Sequence, residues 1–450
     1  MLYYTINEVN DRVLRTLVSK HKSRLSGYQE DWDIYQNDTK IVHDFVTGKS
    51  KELIRAPYAS YATDFYVNYI LGNPVTYTCE NKEMLDKYNE TLDNNKEDWN
   101  NKQIATRMGA QGECFEVVYV DENKQPRFKY VPADEMCVIY NTELDPKMIL
   151  AFRYYVSRDL VTNKDVQYLE VYTDKEVIYY SMAGNRLQEY KRVFHLFGEI
   201  PVVHYKNNEE CKCDFHKVKS QIKAYSMRMT NNSEEIDYCK NAYLVVSGID
   251  LNQRFYYKEE DRYDPNKADN PQYYETGYDQ IKRLGIINIP NPEQGVNYKF
   301  EFVTKDVNDA FIENELNRLN NDIMKFLGVP DLTDESFAGN SSGVALDQKF
   351  LGLEQKVAEK RIHLRDGFLK RCRLICNYLN SAKMANIDYK LFDVVFSTNK
   401  PIDETTKIDN AEKLIDMGID KSIATSQIPG VDDTNAITNS TNVKDNKKQK

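Results

Sequence analysis

Few residues in this 450-residue chain stand at spacings that could do chemistry. Gly48-Lys49-Ser50 matches the end of a phosphate-binding loop, G-x-x-x-x-G-K-[ST], in which backbone amides wrap the phosphate oxygens. His43 stands where that pattern needs its first glycine, and Asp44 would repel an anion. A surface turn is the better reading, and no nucleotide site is expected. Cys211-Lys212-Cys213 with His216 offers zinc-ligand types, but one C-x-C and one histidine make three ligands, with no second pair at finger-like spacing. His204 could add a fourth only through the tertiary fold. The segment therefore reads as a polar linker, and neither metal nor cofactor is expected. Cys372 and Cys376 lie one helical turn apart, with Cys372 on an apolar seam, as buried core thiols do. Acidic pairs such as Glu234-Glu235 read as solvated charge. No G-x-S-x-G elbow and no H-E-x-x-H motif is present. No nucleophile or base can be named, so the chain is not expected to be an enzyme.

Two charge patterns remain. Asp306, Asp309 and Glu313 recur at i, i+3 and i+7, which places three carboxylates on one stripe of a helix. Alone this is a solvated face; lining a channel, it would form negative rings. Residues 344–383 behave oppositely, with nine basic residues against four acidic ones, a net of +5. Lys349, Lys356, Lys360, Arg361 and Arg365 are the candidates there for contact with DNA phosphate or with an acidic neighbouring subunit, the subunit being favoured.

Apolar periodicity predicts the elements that carry these residues. Helices are expected at 7–22, 58–71 and 83–107, with polar, turn-rich sequence from 23 to 50. Strands are expected at 75–79 and, in a β-rich region, at 114–120, 127–131, 149–156, 167–172, 176–182 and 201–205. Two helices with apolar seams, 215–240 and 306–327, bracket a small α+β insert at 241–304. Gly328, Pro330, Gly339 and Gly343 then mark a long loop. A helix of nearly 40 residues follows (344–383), then a strand at 393–397 and short helices at 403–417 and 420–426.

Composition narrows the function. The chain has 60 Lys+Arg against 70 Asp+Glu, a net charge of −10, which argues against a nucleic-acid coat. With 41% hydrophobic residues a packed core is expected, and length suggests two to four domains. No run approaches the ~18 apolar residues of a membrane span, so no membrane partner is expected. Neither a leader peptide nor a disulfide framework is expected from Met1–Thr5 and the eight scattered cysteines, which suit a reduced intracellular setting.

Four segments carry a resemblance. They are Tyr69-Ile70-Leu71-Gly72-Asn73-Pro74-Val75-Thr76-Tyr77, Gly112 to Tyr119 followed by Val131-Pro132, Gly198 to Val203, and Ser342-Gly343-Val344-Ala345-Leu346. In this order, over roughly residues 30–430, the chain resembles the portal (head–tail connector) proteins of tailed double-stranded DNA phages, in the branch of siphophage-type viruses of Gram-positive bacteria. The resemblance implies an α+β portal fold. Its parts would be an α/β wing (1–214), stem helix (215–240), clip (241–304), second stem helix (305–327), tunnel loop (328–343), spine helix with return strand (344–402), short helical crown (403–433) and disordered tail (434–450). It further implies a ring of twelve copies at one capsid vertex, a passive conduit for double-stranded DNA during packaging and ejection. The partners would be the terminase large subunit, the major capsid and scaffolding proteins, and a head-completion or adaptor protein, in a virion assembled in the host cytoplasm. Leu332, Thr333, Asp334, Glu335, Ser336, Phe337, Ala338, Gly339, Asn340, Ser341 and Ser342 would face the DNA, and Asp306, Asp309 and Glu313 would line the channel. Alternatives are a head–tail adaptor or minor capsid protein without a DNA lumen, or an enzyme acting on nucleic acid or polysaccharide.

Overall fold

A computed structural model describes residues 2–5, 8–38, 41–43, 50–160, 163–183, 186–239, 243–247, 251–284, 299–303, 309–330, 343–397 and 411–418. The chain divides into two compact units. The first holds residues 1–41, 55–224 and 319–450, and the second 42–54 and 225–318.

In the first unit, strand β1 (Leu2–Tyr3) precedes helix α1 (Asp11–Gln36). The Asn10 side chain caps α1 by accepting from the Val13 amide, and Asn37 ends it in the left-handed conformation. The expected helix 7–22 is thus too short. Buried Tyr28, two turns beyond His21, extends the apolar stripe into sequence that reads as polar. Helix α2 (Tyr58–Leu71) and strand β4 (Thr76–Cys79) fall where expected, whereas the single helix at 83–107 is two, α3 (Lys82–Asp93) and α4 (Glu97–Gln111). The break is at Lys96, whose φ is +52°.

The β-rich region builds two sheets. Strands β5 (Glu113–Val120), β6 (Pro126–Pro132) and β12 (Val202–Lys206) form a three-stranded antiparallel sheet in the order β12-β5-β6. Strands β7 (Met136–Tyr140), β8 (Met148–Arg158), β9 (Asp165–Tyr172), β10 (Glu176–Ala183) and β11 (Arg186–Phe194) run in sequence across a six-stranded sheet, with β1 parallel to β7 on its edge. Alternate residues face opposite ways along a strand. Ile139, Phe152, Leu169 and Val171 accordingly meet Leu14, Leu17 and Val18 of α1. Val138, Ala151, Tyr172 and Val177 instead join Phe115, Val117, Val131 and Val202 of the smaller sheet. Sequence reasoning misses β7 and β11. The first is a five-residue run buried on both faces, and the second is a charged, exposed edge.

Helix α8 (Gly343–Ser381) has 39 residues, about 60 Å of helix, and lies along β12 and strand β17 (Phe392–Val395), which pairs with β4. A buried polar network fixes its register. Arg371 donates from Nη2 to Glu97 Oε1 (2.7 Å) and Tyr77 Oη (2.9 Å), and from Nη1 to Asn101 Oδ1 (2.9 Å) and Glu116 Oε1 (3.1 Å). Asn100 and Tyr205 also donate to Glu116, and the guanidinium stacks over Phe128 and Phe368. Burial raises the Glu116 pKa, and the charge of Arg371 works against it.

The second unit contains the turns of α5 (Lys219–Cys239) beyond residue 224 and of α7 (Asp309–Leu327) before residue 319. An ion pair at 2.5 Å, Arg228 to Glu315, joins the two helices. Strands β13 (Tyr243–Ser247) and β16 (Lys299–Val303) pair antiparallel, as do β14 (Arg254–Tyr256) and β15 (Tyr274–Thr276), which leads into α6 (Gly277–Leu284). Strands β2 (Ile41–His43) and β3 (Ser50–Glu52) form a further two-stranded sheet. The segments 285–289, 403–410 and 420–426 lie outside the described residues, while 411–416 are helical. No helix among the described residues is long and apolar enough to cross a membrane.

Burial lowers the pKa of His21 and His195, each bonded through Nε2 to a backbone carbonyl, Asp134 at 2.9 Å and Thr173 at 3.0 Å. Both are neutral when folded and regain their ordinary affinity for protons when unfolded. Their contribution is therefore complete above the unfolded pKa of about 6.5 and is lost as pH falls below it. We expect the urea midpoint to drop between pH 7 and 5.5, with net proton uptake on unfolding. His21→Gln should flatten that slope more than a change at half-buried His195.

Candidate nucleic-acid interface

The segment expected to face DNA, 331–342, lies outside the described residues, but the elements on either side of it are well placed. The last turn of α7 buries Ile323 and Leu327. It closes at Gly328, whose amide donates to Met324 O (2.9 Å) and lies against Gly352 of α8. Three tyrosines of α2 hold this end. Tyr58 donates to Asn320 Oδ1 (2.6 Å), Tyr66 to the Leu327 carbonyl and Tyr61 to Pro330 O (3.4 Å). Val329 and Pro330 are buried. Helix α8 is seated from Phe350 onward by Tyr69 and by Leu353 and Val357 in the core. The end of α7 and the part of α8 from Phe350 onward are thus both rooted in packed structure.

Of the acidic stripe, Asp306 lies outside the described residues, Asp309 begins α7, and Glu313 is exposed. Lys349 lies on α8 within the stretch whose side chains are not described. The other spine cations correct the view of a free basic helix. Lys360 is buried, with Nζ 2.6 Å from Asn207 Oδ1 and 2.7 Å from Asp214 Oδ1, beneath the Tyr66 ring. It is therefore an internal cation, not a surface contact. Arg361 lies 3.6 Å from Glu354, which Tyr69 also binds. Arg365 donates to Asp393 at 2.6 Å and 3.0 Å on an exposed face, and Arg373 forms a bidentate pair with Glu199. Lys356 differs. It lines a cleft of about 340 Å³ with Lys217, and burial, then the charge of Lys217, lowers its pKa.

The Gly48-Lys49 turn lies outside the described residues. Cys372 and Cys376 are buried with their sulfurs 3.8 Å apart. Cys213 is buried toward Asp31 while His216 is exposed, so the C-x-C and His216 do not converge.

Residues 14–450 match the family model described as "Phage portal protein, SPP1 Gp6-like". The chain belongs to the phage portal protein family. Among portal-family relatives, the portal protein of Bacillus phage SPP1 is 24% identical over 315 residues, 66% of this chain and 57% of that protein. The chain thus aligns with little more than half of the SPP1 protein's length. The portal protein of Clostridium phage phiCD119 is 23% identical over 416 residues, 88% of this chain and 82% of that one. A solved structure titled "Neck of empty GTA particle computed with C6 symmetry" superposes with a TM-score of 0.45 at 11% identity, covering 81% of this chain and 90% of that one.

Proposed function

We propose that this chain is the subunit of a twelve-membered portal ring at one capsid vertex, a conduit for double-stranded DNA and a docking platform for the terminase motor and the head-completion proteins. The observation that supports the reading is the packing of the elements on either side of 331–342, the end of α7 beneath the α2 tyrosines and α8 from Phe350 onward, because a loop that faces DNA needs fixed flanks. Residues 1–214 with 344–402 serve as wing, 215–240 and 305–327 as stem, 241–304 as clip and 403–433 as crown. Hydrolysis of ATP belongs to the terminase, and the portal acts passively in the virion. An acidic chain suits this role, since each phosphate contact adds counterion-release affinity and therefore drag. The burial of Lys360 against Asp214 removes one such contact, and the charges of Arg361 and Arg365 are partly answered by Glu354 and Asp393.

Deleting Thr333–Ser342 tests the reading. Rings should assemble normally, while DNA-filled heads fall to background; normal packaging would remove the loop from the mechanism. Placing Lys at Asp306, Asp309 and Glu313 together should slow DNA passage, most strongly at low salt. Packaging unchanged at every salt concentration would place the stripe away from the lumen.

A further inference from the structure

Outside the proposed conduit, one cluster, buried at Glu113 and half-buried at His204 and Cys211, brings three metal-ligand types together from distant sequence. A carboxylate oxygen of Glu113, a ring nitrogen of His204 and the sulfur of Cys211 all lie within 4.8 Å of one another. We propose that Glu113, His204 and Cys211 form a binding site for one divalent cation of the zinc class.

The fold holds these groups independently of any ion. His204 on β12 pairs with Phe115 on β5, two residues along from Glu113, and its Nε2 is 2.8 Å from Glu113 Oε2. Cys211 reaches the same place through a tight turn. Its amide donates to Asn208 O (3.0 Å), and the side chains of Asn207 and Asn208 both donate to Lys212 O. This turn lies directly on Gly112, where a Cβ would stand 2.2 Å from Cys211 O, so only glycine lets Cys211 come this close to its neighbour Glu113.

The chemistry selects the cation. One thiolate, one imidazole and one carboxylate are the mixed set that zinc accepts, whereas magnesium and calcium take oxygen ligands. Tyr140 Oη lies 3.0 Å from His204 Nδ1, the outer partner that a ligating histidine needs. Arg24 and Tyr28 both donate to Glu113 Oε1 and leave Oε2 facing His204 and Cys211. The nearby guanidinium weakens cation binding relative to an all-thiolate site. In the metal-free protein the sulfur carries its proton, as a cysteine thiol does at neutral pH. On binding, that proton leaves to solvent and the imidazole proton resides on Nδ1, donating to Tyr140, so the Nε2 lone pair and the sulfur both face the ion. A water completes four-coordination.

The test uses full-length protein stripped with chelator and titrated with Co²⁺, then with Zn²⁺ in competition. We expect saturation at one ion per chain with a thiolate-to-cobalt absorption band, displaced by Zn²⁺. Cys211→Ser should abolish the band and Cys213→Ser should retain it, both with unchanged far-UV circular dichroism. Tyr140→Phe should weaken Zn²⁺ binding by roughly tenfold or more. Absence of the band, its survival in Cys211→Ser, or its loss in Cys213→Ser instead would each overturn the assignment. None of these results bears on the DNA conduit.

Discussion

Replacing Arg371 with alanine is expected to lower the unfolding free energy by about 3–5 kcal/mol, the cost of leaving buried carboxylates without their counter-charge. Both Glu97 and Glu116 are bonded to this guanidinium, and both are buried. The truncation also takes a partner from Tyr77 and from Asn101, and opens a cavity between the Phe128 and Phe368 rings. Denaturant unfolding should show a lower midpoint with the slope unchanged. Arg371→Met combined with Glu97→Gln and Glu116→Gln should recover much of the loss, because replacing a whole buried ion network is far cheaper than breaking it. A loss below about 1 kcal/mol for the single change would mean that the network is hydrated.

Gly367→Ala is the second large effect, and its sign opposes helix propensity. Alanine favours a helix interior by about 1 kcal/mol over glycine. At position 367, however, a Cβ would stand 2.1 Å from Cε1 and 2.5 Å from Cδ1 of Tyr205. That ring is fully buried and held at its far end by the 2.8 Å bond to Glu116 Oε2, so it has nowhere to turn. We expect a net loss of about 1–3 kcal/mol, the usual cost of overpacking. Tyr205→Phe added to Gly367→Ala should not restore stability, since the ring remains. A neutral or stabilising Gly367→Ala would show that α8 can lift away from β12.

Much of the first unit was legible in the sequence. Helix α2, strand β4, the six strands expected between 114 and 205 and the length of α8 follow from apolar spacing and from Gly-Asn-Pro punctuation. The misses share a physical cause. The second half of α1 looks polar because its buried residue is Tyr28, whose hydroxyl is satisfied by the distant Glu113. The charge of α8 was misjudged for the same reason. Its excess of +5 was counted along one helix, while the acids that answer it, Glu97, Glu116, Glu199, Asp214 and Asp393, lie elsewhere in the chain. Spacing within an element records its own faces and carries no information about a salt-bridge partner 150 residues away. Of the Glu113–His204–Cys211 cluster, Cys211 and, through the tertiary fold, His204 could be named from the sequence, but Glu113 could not. Its ligands come from three segments, and the local C-x-C with His216 pointed to the wrong histidine.

The Arg371 network also bears on synthesis. Tyr77, Glu97, Asn101 and Glu116 all emerge from the ribosome some 250 residues or more before the arginine that neutralises them. Until α8 is made, a first unit that closed would bury two acids without their counter-charge. Closure of the first unit therefore waits for α8, and we expect a chain cut short before α8 to stay open and to be cleaved by protease faster than the full chain.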